Sequence, residues 1–465
     1  MRGMFFGGLA SVLVMVLMLL PDVPLVSAEY AQTLAQNTEG YPVSPQHPAI
    51  DARDNYVYTV YEAYNPSTAT TNIAIRYSSD HGRSWGPQYW VAESASTQCY
   101  PDIKVVPHSG EIHIVWEEHY TLNGLPYQAV AYRNHAPGPI TNPNSPGSQW
   151  GSTIFLRTTN QQVGLPKLAA DKVDFGGNSY KWIHVVWEED VDPTTAVQIE
   201  IKYMESDDNG VTWSSTATIS SIDSVNSKHP AIACSYDVNT YTEYWYAVWQ
   251  DDMPSNSEVC YARGISTPHS EPGWEPYYEQ NYQISNAYPN SAEEPDIAAY
   301  VDTITVVWQQ PVTTTSGEVW YRQCVNNYGT TWGSIAQLTP SGYPRIDLST
   351  WGPAVDADDT KIYVVMIQYD DTSEQSESVY QTIYNYQPDN LDPVLNRHGW
   401  HYDCRIYPPT NTPPNAYKKN YPDVAAETSE DSSSTVYKNG PYTWGHIVFE
   451  QVIGTSEIWY VKGPM

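Results

Sequence analysis

The sequence predicts an all-β protein, a ring of four-stranded blades best counted as seven, and three observations carry that expectation. A proline followed by a short apolar strand recurs at Pro48, Pro101, Pro166, Pro230, Pro295, Pro353 and Pro422, with intervals of 53, 65, 64, 65, 58 and 69 residues. A second strand follows each proline and usually closes on an aromatic residue and then Glu or Gln. Turns closed by tryptophan stand at corresponding points of three of the units. Repeats of this length with several short strands are what radial repetition of blades produces.

The second strands read Val60-Tyr61-Glu62, Val115-Trp116-Glu117, Val186-Trp187-Glu188, Val248-Trp249-Gln250, Val307-Trp308-Gln309 and Val448-Phe449-Glu450, while the sixth unit has Met366-Ile367-Gln368. A third strand follows, as in Glu318-Val319-Trp320-Tyr321-Arg322. Period-two alternation and turn residues dominate after residue 30, so helices are not expected. The seventh unit ends after its third strand, and Ala31–Ala35 resembles the fourth strand Tyr282–Ser285 of another unit. The N-terminal segment is therefore expected to supply the outer strand of the last blade, which removes the ring's open edges. A six-bladed ring with a stray hairpin is the alternative. Residues 29–465 read as one domain, with blade starts near 48, 101, 166, 230, 295, 353 and 422. The proline-rich stretch from Asn385 to Asn420 reads as an irregular surface insertion.

The turns read Ser78-Ser79-Asp80-His81-Gly82-Arg83-Ser84-Trp85 and Ser206-Asp207-Asp208-Asn209-Gly210-Val211-Thr212-Trp213, with a degraded copy at Asn326-Asn327-Tyr328-Gly329-Thr330-Thr331-Trp332. Ser and Asp side chains can bond nearby backbone N–H groups, Gly can take positive φ, and Trp can pack back on the hairpin. This S-x-D-x-G-x-x-W pattern resembles the Asp-box of sialidase-like (BNR-repeat) β-propellers. The resemblance covers the mature chain as architecture. It implies boxes between third and fourth strands, on the face opposite the ligand site. It does not extend to the chemistry, because the arginine triad of true sialidases is not recognisable. The place for its first member reads Pro45-Gln46-His47-Pro48-Ala49-Ile50, and Arg76 and Arg322 share a repeat register.

Arg2, an apolar run from Met4 to Leu20 and the small-residue stretch Val26-Ser27-Ala28 read as a secretory signal over residues 1–28; an uncleaved anchor is the alternative. No second apolar span follows, so the mature chain is expected to be secreted or on the extracellular surface. There are five cysteines; Cys99 and Cys404 are the pair in loop-like sequence, and Cys234 and Cys260 are not expected to bridge. With 53 acidic and 22 basic residues, the formal net charge is −31. That balance excludes nucleic acid and anionic membrane surfaces as partners.

With boxes on the far face, the ligand face is built by the starts of first strands and the ends of second strands. It gathers Asp102, Asp296 and Asp423 with Glu117, Glu118, Glu188, Glu189, Gln250, Asp251, Gln309, Gln310, Glu450 and Gln451. Such carboxylates suit Ca²⁺ through hard oxygen ligands, and Glu118 and Glu189 are the weak candidates for a glycosidase acid and base. The plain structural reading is that Glu and Gln at a repeated position bond backbone at strand ends. His113, His184 and His446 occupy related second-strand positions and read as structural. The expected function is binding of glycans or cell-surface polymers through an acidic mouth and its loops. The alternatives are a sialidase-like exo-glycosidase acting on a non-sialic sugar and a structural surface-layer protein.

Overall fold

A computed structural model of the protein describes residues 30–36 and 44–464, except 108, 143–147, 176, 193–196, 222–224, 238, 267–281, 312–316, 326, 339–349, 358–360, 370–376, 386–398, 408–417, 427–443 and 454. The described residues form seven four-stranded sheets. Blade 1 runs outward through Gln46–Arg53, Tyr56–Asn65, Thr70–Ser78 and Tyr89–Trp90. Blade 2 comprises Thr97–Val105, Ile112–Leu122, Leu125–His135 and Ile154–Thr159; blade 3, Val163–Phe175, Asn178–Asp190, Ile199–Ser206 and Ala217–Thr218. Blade 4 comprises Ser227–Asp237, Thr242–Asp252, Ser257–Ser266 and Tyr282–Gln283; blade 5, Glu293–Tyr300, Thr303–Pro311, Gly317–Cys324 and Ala336–Gln337. Blade 6 comprises Thr350–Ala357, Lys361–Tyr369, Glu377–Asn385 and Gly399–Tyr407. Blade 7 comprises Lys418–Ala426, Trp444–Ile453 and Thr455–Pro464, and Tyr30–Gln36 is its fourth strand.

That last pairing closes the ring. Tyr30–Gln36 runs antiparallel to Thr455–Pro464, with Ala31 opposite Val461 and Thr33 opposite Trp459. The inner strands stand side by side around a central channel, and blade 7 returns to blade 1. Two expectations need correction. The stretch from Asn385 to Asn420 is not wholly irregular, because Gly399–Tyr407 is the outer strand of blade 6. Cys99 and Cys404 lie on strands of blades 2 and 6 rather than in loops, and Cys99 is a free thiol. The segment read as a signal, residues 1–28, lies outside the described residues.

The repeated Val-Trp pair explains the packing. Adjacent residues of a strand face opposite sides of the sheet, so one member packs on each neighbouring blade. Trp116 joins the core between blades 1 and 2, while Val115 joins the core between blades 2 and 3. Trp187 and Val186 divide the same way around blade 3, and Trp249 and Val248 around blade 4. Each of these tryptophans is fully buried. A large ring facing backward and a small branched side chain facing forward fill the wedge between twisted blades. The core is seven such seams rather than one centre; Leu34 of the N-terminal strand lies in the seam between blades 7 and 1.

The tryptophan-closed turns latch these seams from outside. In blade 1, the Ser78 hydroxyl donates to Asp80 at 2.7 Å and receives the Gly82 N–H at 2.8 Å; Asp80 also accepts the Ser84 N–H at 2.8 Å. Blade 3 repeats this with Ser206, Asp208, Gly210 and Thr212. In blade 5, the Cys324 sulfur replaces the serine and accepts the Gly329 N–H at 3.1 Å, and Asn327 accepts the Thr331 N–H at 2.8 Å. Each turn docks on the third strand of the preceding blade. Trp85 meets Tyr460, Trp213 meets Tyr132 and Trp332 meets Tyr261, all edge to face.

Candidate functional site at the channel mouth

Each inner strand enters the channel through a bulge at its proline. A residue before proline ordinarily stays in the extended region. Here His47, Tyr100, Leu165, His229 and Glu294 have φ of 45°, 50°, 47°, 50° and 49°, with Gly352 at 57°. Pairing slips at each of these points, as between Cys99 and Asp102. The left-handed residue turns its N–H away from its own ladder, and the preceding blade supplies the acceptor. Glu62 accepts the Tyr100 N–H at 2.8 Å, and Glu188 accepts the His229 N–H at 2.7 Å. Gln250 and Gln309 receive the N–H groups of Glu294 and Gly352 at 3.4 and 3.3 Å. The Glu or Gln after each aromatic residue is therefore an inter-blade clamp in these four blades.

The aspartates one step deeper do the same. Asp102 accepts the Leu168 N–H at 2.9 Å, Asp296 that of Val355 at 2.7 Å and Asp423 that of Ile50 at 2.8 Å. A second tier follows two residues along, where Asp51 accepts the Val105 N–H and Asp356 that of Ala426, each at 2.6 Å. Two lysines interrupt the acidic tiers. Lys167 stands in the register of Asp102, with its Nζ 3.7 Å from that carboxylate, and Lys104 stands in the register of Asp51. Burial pushes Asp423 up to about 7, opposed by Lys167 and Lys104. Burial likewise pushes Asp51 up to about 6 and raises Asp296. Burial works against the charge on both lysines, but the surrounding aspartates outweigh it and raise them.

The carboxylates considered for acid–base chemistry have other partners. Glu118 accepts the Trp116 indole N–H at 3.1 Å, the Ser94 hydroxyl at 2.9 Å and the Gln98 amide at 3.3 Å. Glu189 accepts the Trp187 indole N–H at 3.1 Å and both Nε and Nη2 of Arg157. Both are buried, as are Asp251 and Glu450. Glu117 bonds His119 and lies against Gly164 at the bulge of blade 3. Burial raises Glu188 above the usual carboxylate range. Among the described residues, Arg53 is the arginine lining the channel, and its Nη1 donates to Val106 O at 2.7 Å. Arg322, on the third strand of blade 5, binds the carbonyl of Gly333 in its own blade and that of Ile284 in blade 4, away from the channel.

The channel encloses a cavity of about 1010 Å³ that runs along the inner strands, and the bulge residues His47, Tyr100, Leu165, His229 and Glu294, together with Lys167, line the end at which those strands begin. His47 and Tyr100 lie with ring centroids 4.4 Å apart. Sequence reasoning passed over these residues. The signal was available: one variable position precedes a proline in every unit.

No family model matches the chain, and no curated protein matches it. Solved structures do resemble it. An intramolecular trans-sialidase from Ruminococcus gnavus in complex with oseltamivir carboxylate is 11% identical, with 93% of this chain and 97% of that one covered at a TM-score of 0.44. A leech intramolecular trans-sialidase is 12% identical over 94% of this chain and 70% of that one, at a TM-score of 0.43. A Trypanosoma rangeli sialidase is 9% identical over 90% of this chain and 55% of that one, at a TM-score of 0.40. By its ring of antiparallel four-stranded blades, the chain has a β-propeller fold.

Proposed function

We propose that the protein is a secreted or surface-exposed glycan-binding propeller whose ligand enters the channel mouth, and that its tryptophan-closed turns are Asp-boxes serving as scaffold. The observation that carries this reading is the rim of bulge residues. Tyr100 offers a ring face for a sugar, and His47, His229, Glu294 and Lys167 offer donors and acceptors around one cavity. Concave sites with a few convergent polar groups are where ligands ordinarily sit. The deeper carboxylates act as blade clamps and share the channel with Lys104 and Lys167, which favours a polyhydroxylated ligand over a bare cation such as Ca²⁺. Glu118 and Glu189 are held by indole, hydroxyl, amide and guanidinium donors, which favours binding over hydrolysis. A glycan array run beside a panel of chromogenic glycosides, one sialoside included, separates the readings. The expected outcome is array binding without turnover. Turnover abolished by Glu189→Gln in a folded protein would replace binding with a glycosidase.

A further inference from the structure

The seam between blades 3 and 4 is built differently from the latched ones. In blade 4, Gly264 stands at the register of Ser206 in blade 3, and Trp245 lies so close that a Cβ there would sit 2.0 Å from its ring. Trp245 stacks on Tyr203 with centroids 4.2 Å apart, in the place that a turn tryptophan takes on Tyr132. Two residues beyond that tyrosine, other blades carry Asn134, Arg263 or Lys462, which bind the carbonyls of Asn209, Tyr328 and His81 in the docked turns. Blade 3 has Glu205 instead, which accepts the hydroxyls of Tyr203 (2.8 Å) and Ser266.

This substitution fixes the tautomer of a buried histidine. The one hydroxyl proton of Tyr203 goes to Glu205, so the 2.8 Å contact between His184 Nδ1 and Tyr203 Oη has Nδ1–H as donor. His184 Nε2 is left with a lone pair. It faces Glu243 Oε1 at 3.5 Å, and both residues are buried. Neither Nε2 nor either oxygen of Glu243 has a hydrogen bond of good geometry. The Cys234 thiol lies against the same carboxyl, and the ligand atoms of the three residues are all within 4.8 Å of one another. Cys234 and Asp171 line the channel, which supplies a path inward.

We propose that His184 Nε2, Cys234 Sγ and the Glu243 carboxylate form a binding site for a tetrahedral divalent metal ion of the zinc class, with the fourth position open toward Asp171 and the channel. A nitrogen and an oxygen each about 2.0 Å from a tetrahedral metal stand about 3.3 Å apart, close to the spacing seen here. A cation held between them would give both buried groups the partner they lack. Tyr203 supplies the outer-shell bond that orients a ligating histidine.

Cobalt titration of the chelator-treated intact protein tests the site. One equivalent of Co²⁺ should produce a thiolate-to-cobalt charge-transfer absorption. Cys234→Ser should abolish the band while Cys99→Ser, which alters the separate Cys99–Glu117–His119 group at the mouth, leaves it intact. Tyr203→Phe should weaken binding about ten- to a hundred-fold. If Cys234→Ser does not fold, His184→Gln and Glu243→Gln are read for loss of the same band. No charge-transfer band in the parent protein, or a band kept in Cys234→Ser and lost in Cys99→Ser, would overturn the assignment.

Discussion

Trp213 of blade 3 meets Tyr132 of blade 2 edge to face, with ring centroids 5.0 Å apart and 75° between the planes. The same tyrosine contacts His113 Nδ1 at 2.6 Å and lies under Gly210, so one side chain joins a turn, a seam and a second strand. Tyr460 repeats this with Trp85, Gly82 and His446 across the closing seam. The geometry makes these turns mechanical parts of the ring, on the strands' outer side and away from the channel.

Gly210→Ala tests the latch. Gly210 has φ of +79°, and a Cβ there would sit 2.1 Å from the Tyr132 hydroxyl. Left-handed strain and the clash together should cost about 2–4 kcal/mol, read by denaturant unfolding. A loss under about 0.5 kcal/mol, the range of ordinary surface changes, would show that the turn does not bear on the seam.

Removal of Tyr30–Gln36 should lower the melting temperature sharply. It takes Leu34 from the closing seam and exposes the edge of Thr455–Pro464. An unchanged thermal transition in the truncated protein would mean that closure contributes nothing to stability.

Much of this ring was legible in the sequence because its repeats are local. Pro48 through Pro422, the Val-Trp-Glu strands and the Ser-x-Asp-x-Gly turns each fit within a few residues, and the short segment Ala31–Ala35 was enough to expect closure. The outer strand Gly399–Tyr407 stayed hidden because its flanks are rich in proline, which reads as irregular sequence. The roles of Glu62, Glu188 and Asp102 were only half legible. Their residue types suggested an acidic mouth, but their partners are the N–H groups of the next blade, about 40 to 65 residues away in sequence. The facing of His184 and Glu243 across two blades has no local pattern at all.

Glu118→Ala should destabilise by about 2–3 kcal/mol, because it strands the Trp116 indole N–H and the Gln98 amide in a buried setting. Glu118→Gln, which keeps an acceptor, should cost less. Chemical denaturation of both variants checks the order, and equal stability of Glu118→Ala and the parent would show that these buried donors do not depend on Glu118.

Asp423 supplies a pH test. Its carboxyl is raised to about 7 in the folded protein from an ordinary value near 3.8, so the native state binds the proton more tightly than the unfolded chain does. The sign follows: this group's contribution is fully present below about pH 4 and is lost as pH rises toward about 7, by an amount on the order of a few kcal/mol at most. Asp423→Asn keeps an oxygen for the Ile50 N–H and cannot titrate. Relative to this variant, the parent should lose stability between about pH 4 and 7. Parallel stability–pH curves would contradict that reading.

The central claim, that ligand binds at the rim of bulge residues, is tested most directly by calorimetric titration of a glycan selected on the array into the parent protein and into folded Tyr100→Ala and His229→Ala variants. The account predicts at least ten-fold weaker binding in each variant, about 1.4 kcal/mol, with unfolding transitions close to that of the parent. Unchanged affinity in both variants would place the glycan elsewhere and contradict the account.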